Sequence, residues 1–236
     1  MLELSIDAVE VTEQTNQTFY FLIKRAIDIV VSAFLLVVLF PLMLIVALAI
    51  KLDSDGAVLF VQERVGVKKL INHGTVTWIL CPFLVYKFRS MKANADTSLH
   101  YAYVTAFRTG RAKTHDGSAP YKLSNDSRLT RVGQILRKTS LDEVPQLVNV
   151  LKGDMSLVGP RPVLAYEVAL YDDHHYERFA RIPGLTGLWQ ATARSHASFE
   201  EMLRLDIDYV RRSSLWLDLK LIFLTVPAVI SCRGAA

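Results

Sequence analysis

The strongest chemical feature of the sequence is a pair of adjacent carboxylates, Asp142 and Glu143, with cationic residues on both sides. The stretch Ser140–Glu143 has the spacing of a capping box, which predicts that both acids stand in the first turn of a helix. The helix dipole favours the ionised carboxylate there. An ionised aspartate in this place could attack phosphorus or hold a divalent cation. By spacing alone, a simple capping sequence without chemistry is the alternative.

Cationic side chains near the pair favour a phosphate site over a simple cap. Arg137 and Lys138 precede the pair, and Arg161 follows it between Pro160 and Pro162. The two prolines limit the freedom of the loop that carries the arginine. Arginine binds phosphate through parallel hydrogen bonds, so these residues form a plausible phosphate clamp around the carboxylates.

Further cations are expected where a predicted strand ends. Val58–Gln62 and Phe83–Phe88 have the composition of short strands between turn residues. Lys87 lies at the end of the second strand and Arg89 directly follows it. The polar residues 92–128 then predict a long, partly mobile excursion.

Helical spacing returns in the second half of the chain. Arg131–Arg137 predicts a short helical turn, and Asp142–Lys152 predicts a helix that the following glycine ends. The prolines and glycines of residues 160–187 predict loops. Phe199–Arg212 is another helix candidate. Ser213–Ile230 is amphipathic, which suits either a second anchor in the membrane interface or packing on the core.

One segment has the composition of a membrane helix. Ile29–Ile50 contains 22 residues without a charge. As a straight helix it would be about 33 Å long, close to the thickness of the hydrocarbon layer. A buried helix of a soluble protein seldom stays apolar on every face for this length. We therefore predict a retained membrane segment and not a cleaved signal peptide, because the apolar run is too long and 28 residues precede it.

The flanks of this segment predict its topology. Lys24 and Arg25 precede it and Lys51 follows it, whereas positive charges normally mark the cytoplasmic side alone. Pro41 lies in the middle, where it removes a backbone donor and favours a kink. The hypothesis is a re-entrant helix over 24–51 that bends at the proline and leaves on the same face. An ordinary kinked single span is the alternative.

Composition supports one membrane element joined to a globular part. Half of the residues, 51%, are hydrophobic, but 21% are charged, so most of the chain must meet water. We predict an acidic segment over 1–23, the membrane helix over 24–51 and a cytoplasmic catalytic domain over 52–236. The predicted fold class is α+β, mainly helical with a few short strands. Cys81 and Cys232 show no metal-ligand spacing and are expected to be reduced thiols.

The charge distribution indicates the kind of partner. Residues 51–161 carry 17 basic and 9 acidic side chains. A basic body beside a membrane segment suits anionic lipid headgroups and phosphorylated substrates. A membrane-tethered nucleic-acid binder is disfavoured, because the sequence has neither a helix-turn-helix nor an aromatic RNA motif.

Several motifs of this chain match one known family. They are KRAID at 24–28, FVQERVG at 60–66, KFRSM at 87–91, LTRVGQILRKTSLDEVPQLVNVLKGDMSLVGPRP at 129–162, PGLTGLWQ at 183–190 and, more weakly, DYVRRSSLWLDL at 208–219. In these motifs the chain resembles the bacterial sugar transferases, also called monotopic phosphoglycosyl transferases. The central block is long and specific, and the matches cover nearly all of the chain after residue 23.

The resemblance implies a reaction and a location. Such enzymes transfer a phospho-sugar from a UDP-sugar to polyprenol phosphate and release UMP. They use Mg²⁺ and a re-entrant helix at the cytoplasmic face of the bacterial inner membrane. By this resemblance Asp142 is the nucleophile that forms a covalent phospho-sugar intermediate, and Glu143 assists in metal handling or proton transfer. Both are expected metal ligands. The expected substrate-binding residues are Lys87, Arg89, Arg137, Arg161 and Gln190.

Some features depart from the family pattern or stay open. The family often has Ser-Pro at the membrane kink, whereas this chain has Phe40-Pro41, which leaves the bend angle open. Insertions near 70–82 and 92–128 could shape sugar choice, an oligomer contact or neither. Adjacent His174 and His175 are expected to be solvated, because no third metal ligand is evident.

The sequence also leaves two functional questions open. A non-catalytic membrane scaffold for glycan assembly is the second hypothesis, although the carboxylate pair and the cations argue against it. Neither the sugar, among glucose, galactose and N-acetylated amino sugars, nor the formation of a homo-dimer is fixed by the sequence.

Overall fold

The computed structural model describes residues 13–14, 18–72, 75–93, 95–96, 98–108, 126–193 and 197–230. Its elements are β1 Glu13–Gln14, α1 Thr18–Asp53, β2 Leu59–Asn72, β3 Thr75–Phe88, α2 Ser98–Arg108, α3 Arg131–Thr139, a 3₁₀ turn Leu141–Glu143, α4 Gln146–Lys152, β4 Ser156–Val158, α5 Ala165–Val168, a second 3₁₀ segment Asp173–Ala180, β5 Gly184–Thr186, α6 Leu188–Thr192, α7 Phe199–Arg212 and α8 Leu215–Ile230. The fold mixes helices and strands and is mostly helical, as predicted.

Two small sheets organise the strands. β2 and β3 form an antiparallel hairpin, with β1 on the other edge of β3, and β4 pairs in parallel with β5. The prediction of short strands is wrong for the hairpin, because β2 and β3 each span 14 residues. The charged residues Lys68 and Lys69 interrupt the apolar pattern, so the sequence did not predict that β2 continues through them. The pairing of β2 with β3 stabilises this part of the strand.

α1 is a single helix of 36 residues that continues past Pro41. It begins at Thr18, ahead of the predicted residue 24, and it is long and apolar enough to cross a membrane. Large apolar side chains remain exposed along it, including Phe34, Val37 and Ile45. A soluble protein rarely exposes such a patch, whereas a helix of this length and composition suits a membrane.

Both halves of α1 contact the globular part. In the first half, Val31 and Leu35 pack against a core cluster that includes Leu147 of α4. In the second half, Val46 and Ile50 belong to another cluster, with partners from β3 and α3. The site elements β3, α3 and α4 therefore rest directly on the membrane helix.

The remaining helices agree only in part with the pattern. α3, α4 and α7 confirm the predicted helices, and Gly153 ends α4 with a φ of 93°. The predicted excursion over 92–128 contains α2, while residues 109–125 lie outside the described part. The loops predicted over 160–187 are interrupted by α5, the second 3₁₀ segment and β5.

Candidate active site

The two carboxylates stand on a tight turn between two helices. α3 ends at Ser140, whose φ of 59° lies in the left-handed region. The 3₁₀ turn follows, and Glu143 donates its backbone N–H to the carbonyl of Ser140. The predicted capping box is wrong, because the Ser140 side chain makes no cap hydrogen bond and its left-handed backbone departs from the usual extended cap. The acids nevertheless lie just before α4.

Glu143 is paired with a lysine from the β-hairpin. The Nζ of Lys87 lies 2.9 Å from its Oε1, and both side chains are largely buried. Burial lowers the pKa of Lys87, and Arg161 and Arg64 lower it further, whereas the negative charge of Glu143 raises it. The pair therefore places a readily perturbed cation beside the carboxylates.

Asp142 faces the arginine that precedes it in the chain. Asp142 is largely buried, with 9% of its surface exposed. Burial lowers the pKa of Arg137, and the charge of Asp142 is the strongest interaction that raises it. The Nε of Arg137 donates to Ser90 Oγ at 3.1 Å, which ties the guanidinium to the end of β3. Asp142 and Arg137 thus form a second region of opposite charge beside the first.

A cleft opens next to Glu143. It is lined by Arg64, Val85, Lys87, Glu143, Gln146, Arg161, Pro162, Gly184, Leu185 and Gln190. Four predicted site residues, from the hairpin, the 3₁₀ turn, the proline loop and α6, therefore meet there. Asp142, Arg137 and Arg89 are not among the lining residues of this cleft.

The loop that carries Arg161 is restrained by a hydrogen bond from the buried Arg178. Its backbone carbonyl accepts a hydrogen bond of 2.7 Å from Arg178, which is buried and ion-paired with Asp206. The Arg161 guanidinium lies 5.8 Å from the centre of the Trp189 ring, on α6. A buried pair and an aromatic face therefore limit where the cation can lie.

Two residues with polar side chains in the cleft, Arg64 and Gln146, were not predicted. Arg64 donates to the carbonyl of Pro162 at 3.3 Å and lies 3.6 Å from Glu167. The sequence offered a signal for Gln146, because it stands three residues after Glu143 and so on the same helical face. Arg64 offered less, since only the folding of β2 against the proline loop brings it to the cleft.

Arg89, expected to bind substrate, makes structural contacts. Its NH1 and NH2 groups donate to the backbone carbonyls of Ser54 and Asp55, just beyond α1, and to that of Ile50. Carbonyls at the end of a helix need such donors. A substrate contact by Arg89 stays a prediction, while the described contacts hold α1 to β3.

The prediction that both histidines are solvated is wrong for His175, which is buried, and Glu200 supplies a third possible metal ligand. Nε2 of His175 lies 3.0 Å and Nε2 of His174 lies 3.6 Å from Oε1 of Glu200. However, Nδ1 of His175 accepts the backbone N–H of Asp172 at 3.0 Å. A neutral imidazole that accepts at Nδ1 carries its proton on Nε2, so this nitrogen is a donor and not a metal ligand. The cluster is therefore a link between the second 3₁₀ segment and α7.

The donor set at the turn suits a hard cation. Asp142 and Glu143 supply carboxylate oxygens, and Mg²⁺ is commonly held by one or two carboxylates together with phosphate oxygens of a substrate. Lys87 and Arg137 keep the turn from becoming strongly negative by themselves. The residues present thus fit Mg²⁺ bound together with a phosphorylated ligand.

Comparisons with known proteins give one consistent answer. A family model described as bacterial sugar transferase matches residues 19–232. The chain is 38% identical to the exopolysaccharide production protein ExoY of Sinorhizobium fredii over 212 aligned residues. The aligned region covers 90% of this chain and 87% of that protein.

Two further relatives have names that state a reaction. The undecaprenyl-phosphate galactose phosphotransferase of Salmonella typhimurium is 40% identical, over 90% of this chain and 41% of that protein. The UDP-glucose:undecaprenyl-phosphate glucose-1-phosphate transferase of Caulobacter vibrioides is 38% identical, over 90% of this chain and 71% of that protein. The similarity covers all the site residues described above.

Proposed function

The chain belongs to the bacterial sugar transferase family, and from this premise we propose that it transfers a sugar-1-phosphate from a UDP-sugar to polyprenol phosphate. It is an enzyme, as its relatives are, and it contains a long apolar helix suited to a membrane. The proposed products are polyprenyl diphosphate-sugar and UMP. Such a product would begin the assembly of an exopolysaccharide or another glycoconjugate.

The proposed chemistry consists of two displacements at one phosphorus atom. An oxygen of Asp142 attacks the phosphorus that bears the sugar, the bond to the bridging oxygen breaks, and UMP leaves with the electron pair. A phosphate oxygen of the polyprenol carrier then attacks the same phosphorus and displaces the Asp142 carboxylate. One nucleophile thereby serves a water-soluble donor and a lipid acceptor in turn.

The cations have a defined task in this scheme. Lys87, Arg137 and Arg161 surround the carboxylates, where they would bind the diphosphate and offset the charge that develops on UMP as it leaves. Asp142 and Glu143 would hold Mg²⁺, which supplies further charge neutralisation at phosphate oxygens. Glu143 also holds Lys87 in place through their ion pair.

The site would work at the lipid surface. Leu141, next to the nucleophile, packs against the cluster that contains Val46 and Ile50 of α1. The contacts of both α1 halves with one globular part support a re-entrant, monotopic helix and a catalytic domain on the cytoplasmic face of the inner membrane. The exposed Trp216 and Phe223 of α8 support a second, interfacial contact with lipid.

The observation that carries this proposal is the meeting of Glu143, Lys87 and Arg161 in one cleft beside Asp142. These residues come from separate parts of the chain and from two of the motifs shared with the family. A scaffold without catalysis would not need a carboxylate pair and phosphate-binding cations around one cleft.

UMP release tests the proposal directly. Membranes or nanodiscs that contain the protein are mixed with Mg²⁺, polyprenol phosphate and a series of UDP-sugars. We expect UMP release with at least one sugar, and an acid-stable protein adduct when the lipid acceptor is omitted. Asp142→Asn should lower turnover by at least about a thousandfold and abolish the adduct, because an amide is a far poorer nucleophile.

The matched control is Asp173→Asn, which changes an exposed aspartate away from the cleft. It should release UMP at the parent rate. Turnover in the Asp142→Asn protein at a rate close to the parent would remove this residue from the nucleophile role. No release with any UDP-sugar would contradict the proposed function itself.

A further inference from the structure

The cleft contains two buried amide atoms without a partner in the described part of the chain. They are Nε2 of Gln146 and Oε1 of Gln190, and both residues line the cleft. Gln146 is only 2% exposed. Nearly all buried polar atoms in folded proteins are hydrogen-bonded, so two orphaned amide atoms around one cleft call for an explanation. The neighbouring substrate site supplies one.

The orientation of the Gln190 amide is fixed by its own contact. Its Nε2 donates to the carbonyl of Leu185 at 3.2 Å, so the free atom of this side chain is the oxygen. Gly187 leaves the room that this oxygen occupies, since a Cβ there would lie 2.7 Å from it. The oxygen is shielded from bulk water, and a group bound in the cleft that Gln190 lines would supply the missing donor.

An amide oxygen can be satisfied only by a hydrogen-bond donor. The fully ionised form of a phosphate monoester, which predominates above about pH 7, accepts hydrogen bonds and does not donate them. Polyprenol phosphate, which combines a phosphate with a hydrocarbon chain, therefore has no group that suits Gln190. A UDP-sugar has such groups in the hydroxyls of its hexose and ribose. The free oxygen thus distinguishes the two substrates by their chemistry.

Gln146 adds the complementary function. Its free Nε2 is a donor, and it stands three residues after Glu143, so it faces the same cleft as the carboxylate. A hydroxyl group both donates and accepts. A hydroxyl group of the donor would therefore suit either amide. The uracil imide offers the same two functions but belongs at the end of the molecule farthest from the reacting phosphorus.

We propose that Gln190 and Gln146 form a hydroxyl-binding subsite for the UDP-sugar, which acts in the first half-reaction and not in the transfer to the lipid. This inference rests on the proposed function and deepens it. Gln190 Oε1 accepts a hydrogen bond from a hydroxyl group, and Gln146 Nε2 donates a hydrogen bond to a hydroxyl oxygen. The subsite orients the donor so that its sugar-bearing phosphorus faces Asp142.

The test combines substrate analogues with an isosteric variant. The active UDP-sugar and its monodeoxy analogues, in the hexose and in the ribose, are compared by adduct formation and UMP release without lipid acceptor. The protein is the parent, Gln190→Met or Gln134→Met. Gln134 is an exposed glutamine on α3 and serves as the matched control.

With the complete donor, Gln190→Met should lower kcat/KM for adduct formation about tenfold, while KM for polyprenol phosphate stays unchanged. With one deoxy analogue, the parent and Gln190→Met should form the adduct with the same low kcat/KM. The hydroxyl that this analogue lacks is then the one that Gln190 binds. Sensitivity to a hexose hydroxyl or to a ribose hydroxyl decides which part of the donor is bound. Gln134→Met should match the parent with every analogue.

The opposite results are distinct. The hydroxyl subsite is wrong if each deoxy analogue lowers kcat/KM by the same factor in the parent and in Gln190→Met. It is also wrong if only a donor with N3-methylated uracil makes the parent and Gln190→Met equally slow. In both cases the proposed transferase activity would still hold. Should Gln190→Met fail to fold, Gln146→Met provides the same comparison from the donor side. Absence of UMP release by the parent protein would instead count against the proposed function.

Discussion

Lys87 is the side chain at which chemistry and environment meet most closely. It must be protonated to pair with Glu143 and to bind phosphate, yet burial and two arginines oppose its charge. A lowered lysine pKa means that the proton is lost at a lower pH than in an exposed lysine. As the pH rises, Lys87 therefore loses its charge earlier than an exposed lysine does.

This predicts an alkaline limb in the pH profile for the donor. KM for the UDP-sugar should rise, and kcat/KM should fall, as the pH rises through the lowered pKa of Lys87 and before an ordinary lysine would titrate. Lys87→Arg should shift this limb upward, because arginine stays protonated in the measurable range. Steady-state kinetics from pH 7 to 10 measures the effect.

The control is Lys68→Arg, which alters an exposed lysine of β2. Its profile should coincide with that of the parent. An identical alkaline limb in the parent and in Lys87→Arg would assign the titration to another group.

At the residue scale, the sequence predicts what local motifs determine. Asp142, Glu143 and Lys87 come together as expected, because each lies in a short stretch with a clear chemical pattern. Arg64 was missed because only the packing of β2 against the proline loop brings it to the cleft, whereas the helical spacing of Gln146 from Glu143 was a signal that was not used. Arg89 was expected to bind substrate because it is a cation next to Lys87. The sequence does not show that its guanidinium group instead donates to backbone carbonyls at the end of α1.

At the scale of elements, the first turns of α1 hold both sides of the site. Lys24 donates to the carbonyl of Val158 at 2.9 Å and pairs with Asp218 at 2.8 Å. Asp28 accepts the backbone N–H of Leu157 at 3.0 Å, and Arg25 donates to carbonyls at the end of α4. The motif KRAID at 24–28, which the sequence analysis used only as a family match, thus joins α1 to the elements of the site. We call these contacts the joint between α1 and the site.

Breaking this joint should lower stability and donor handling together. Lys24→Met leaves Asp218 buried without its cation, which costs about 3–5 kcal/mol in such pairs. For a chain of this size that corresponds to a fall in Tm of roughly 10 °C. We also expect a higher KM for the UDP-sugar, since Val158 leads directly into the loop of Arg161. Thermal unfolding in nanodiscs and steady-state kinetics measure the two effects.

Lys51→Met is the matched control, because this lysine is exposed at the other end of α1. It should change neither quantity. An equal loss of Tm in both variants would show that the charge beside the membrane matters and not the contact with Asp218.

Element bounds show where sequence patterns lose information. The periodic helices α3 and α7 are predicted well, since their apolar spacing is sustained and they begin with Thr130 and Ser198 as caps. The hairpin is underestimated because its outer half carries lysines and gains stability from cross-strand pairing. The turn at Ser140 is missed because a left-handed serine is rare and is held by the elements around it.

At the scale of the whole molecule, the contacts of both α1 halves predict the topology. A protease-sensitive tag placed before residue 18 should lie on the same side of a sealed vesicle as the globular part. Both should be digested when the protease has access to that side, and both should be protected on the other side. Immunoblots of the tag and of a C-terminal epitope, with detergent-opened vesicles as the control, read the result. Protection of the tag alone would establish a single span.

The contacts of Arg89 and Lys24 have a practical consequence for anyone who seeks a detergent-free fragment. Removal of residues 1–53 would strip Phe88 and Leu136 of their covering, leave Asp218 without its lysine and remove the Ile50 carbonyl that Arg89 binds. Exchanging α1 for a foreign anchor would do the same unless these partners were transplanted with it. Anchor and catalyst are therefore one cooperative unit, and neither can be treated as a detachable module.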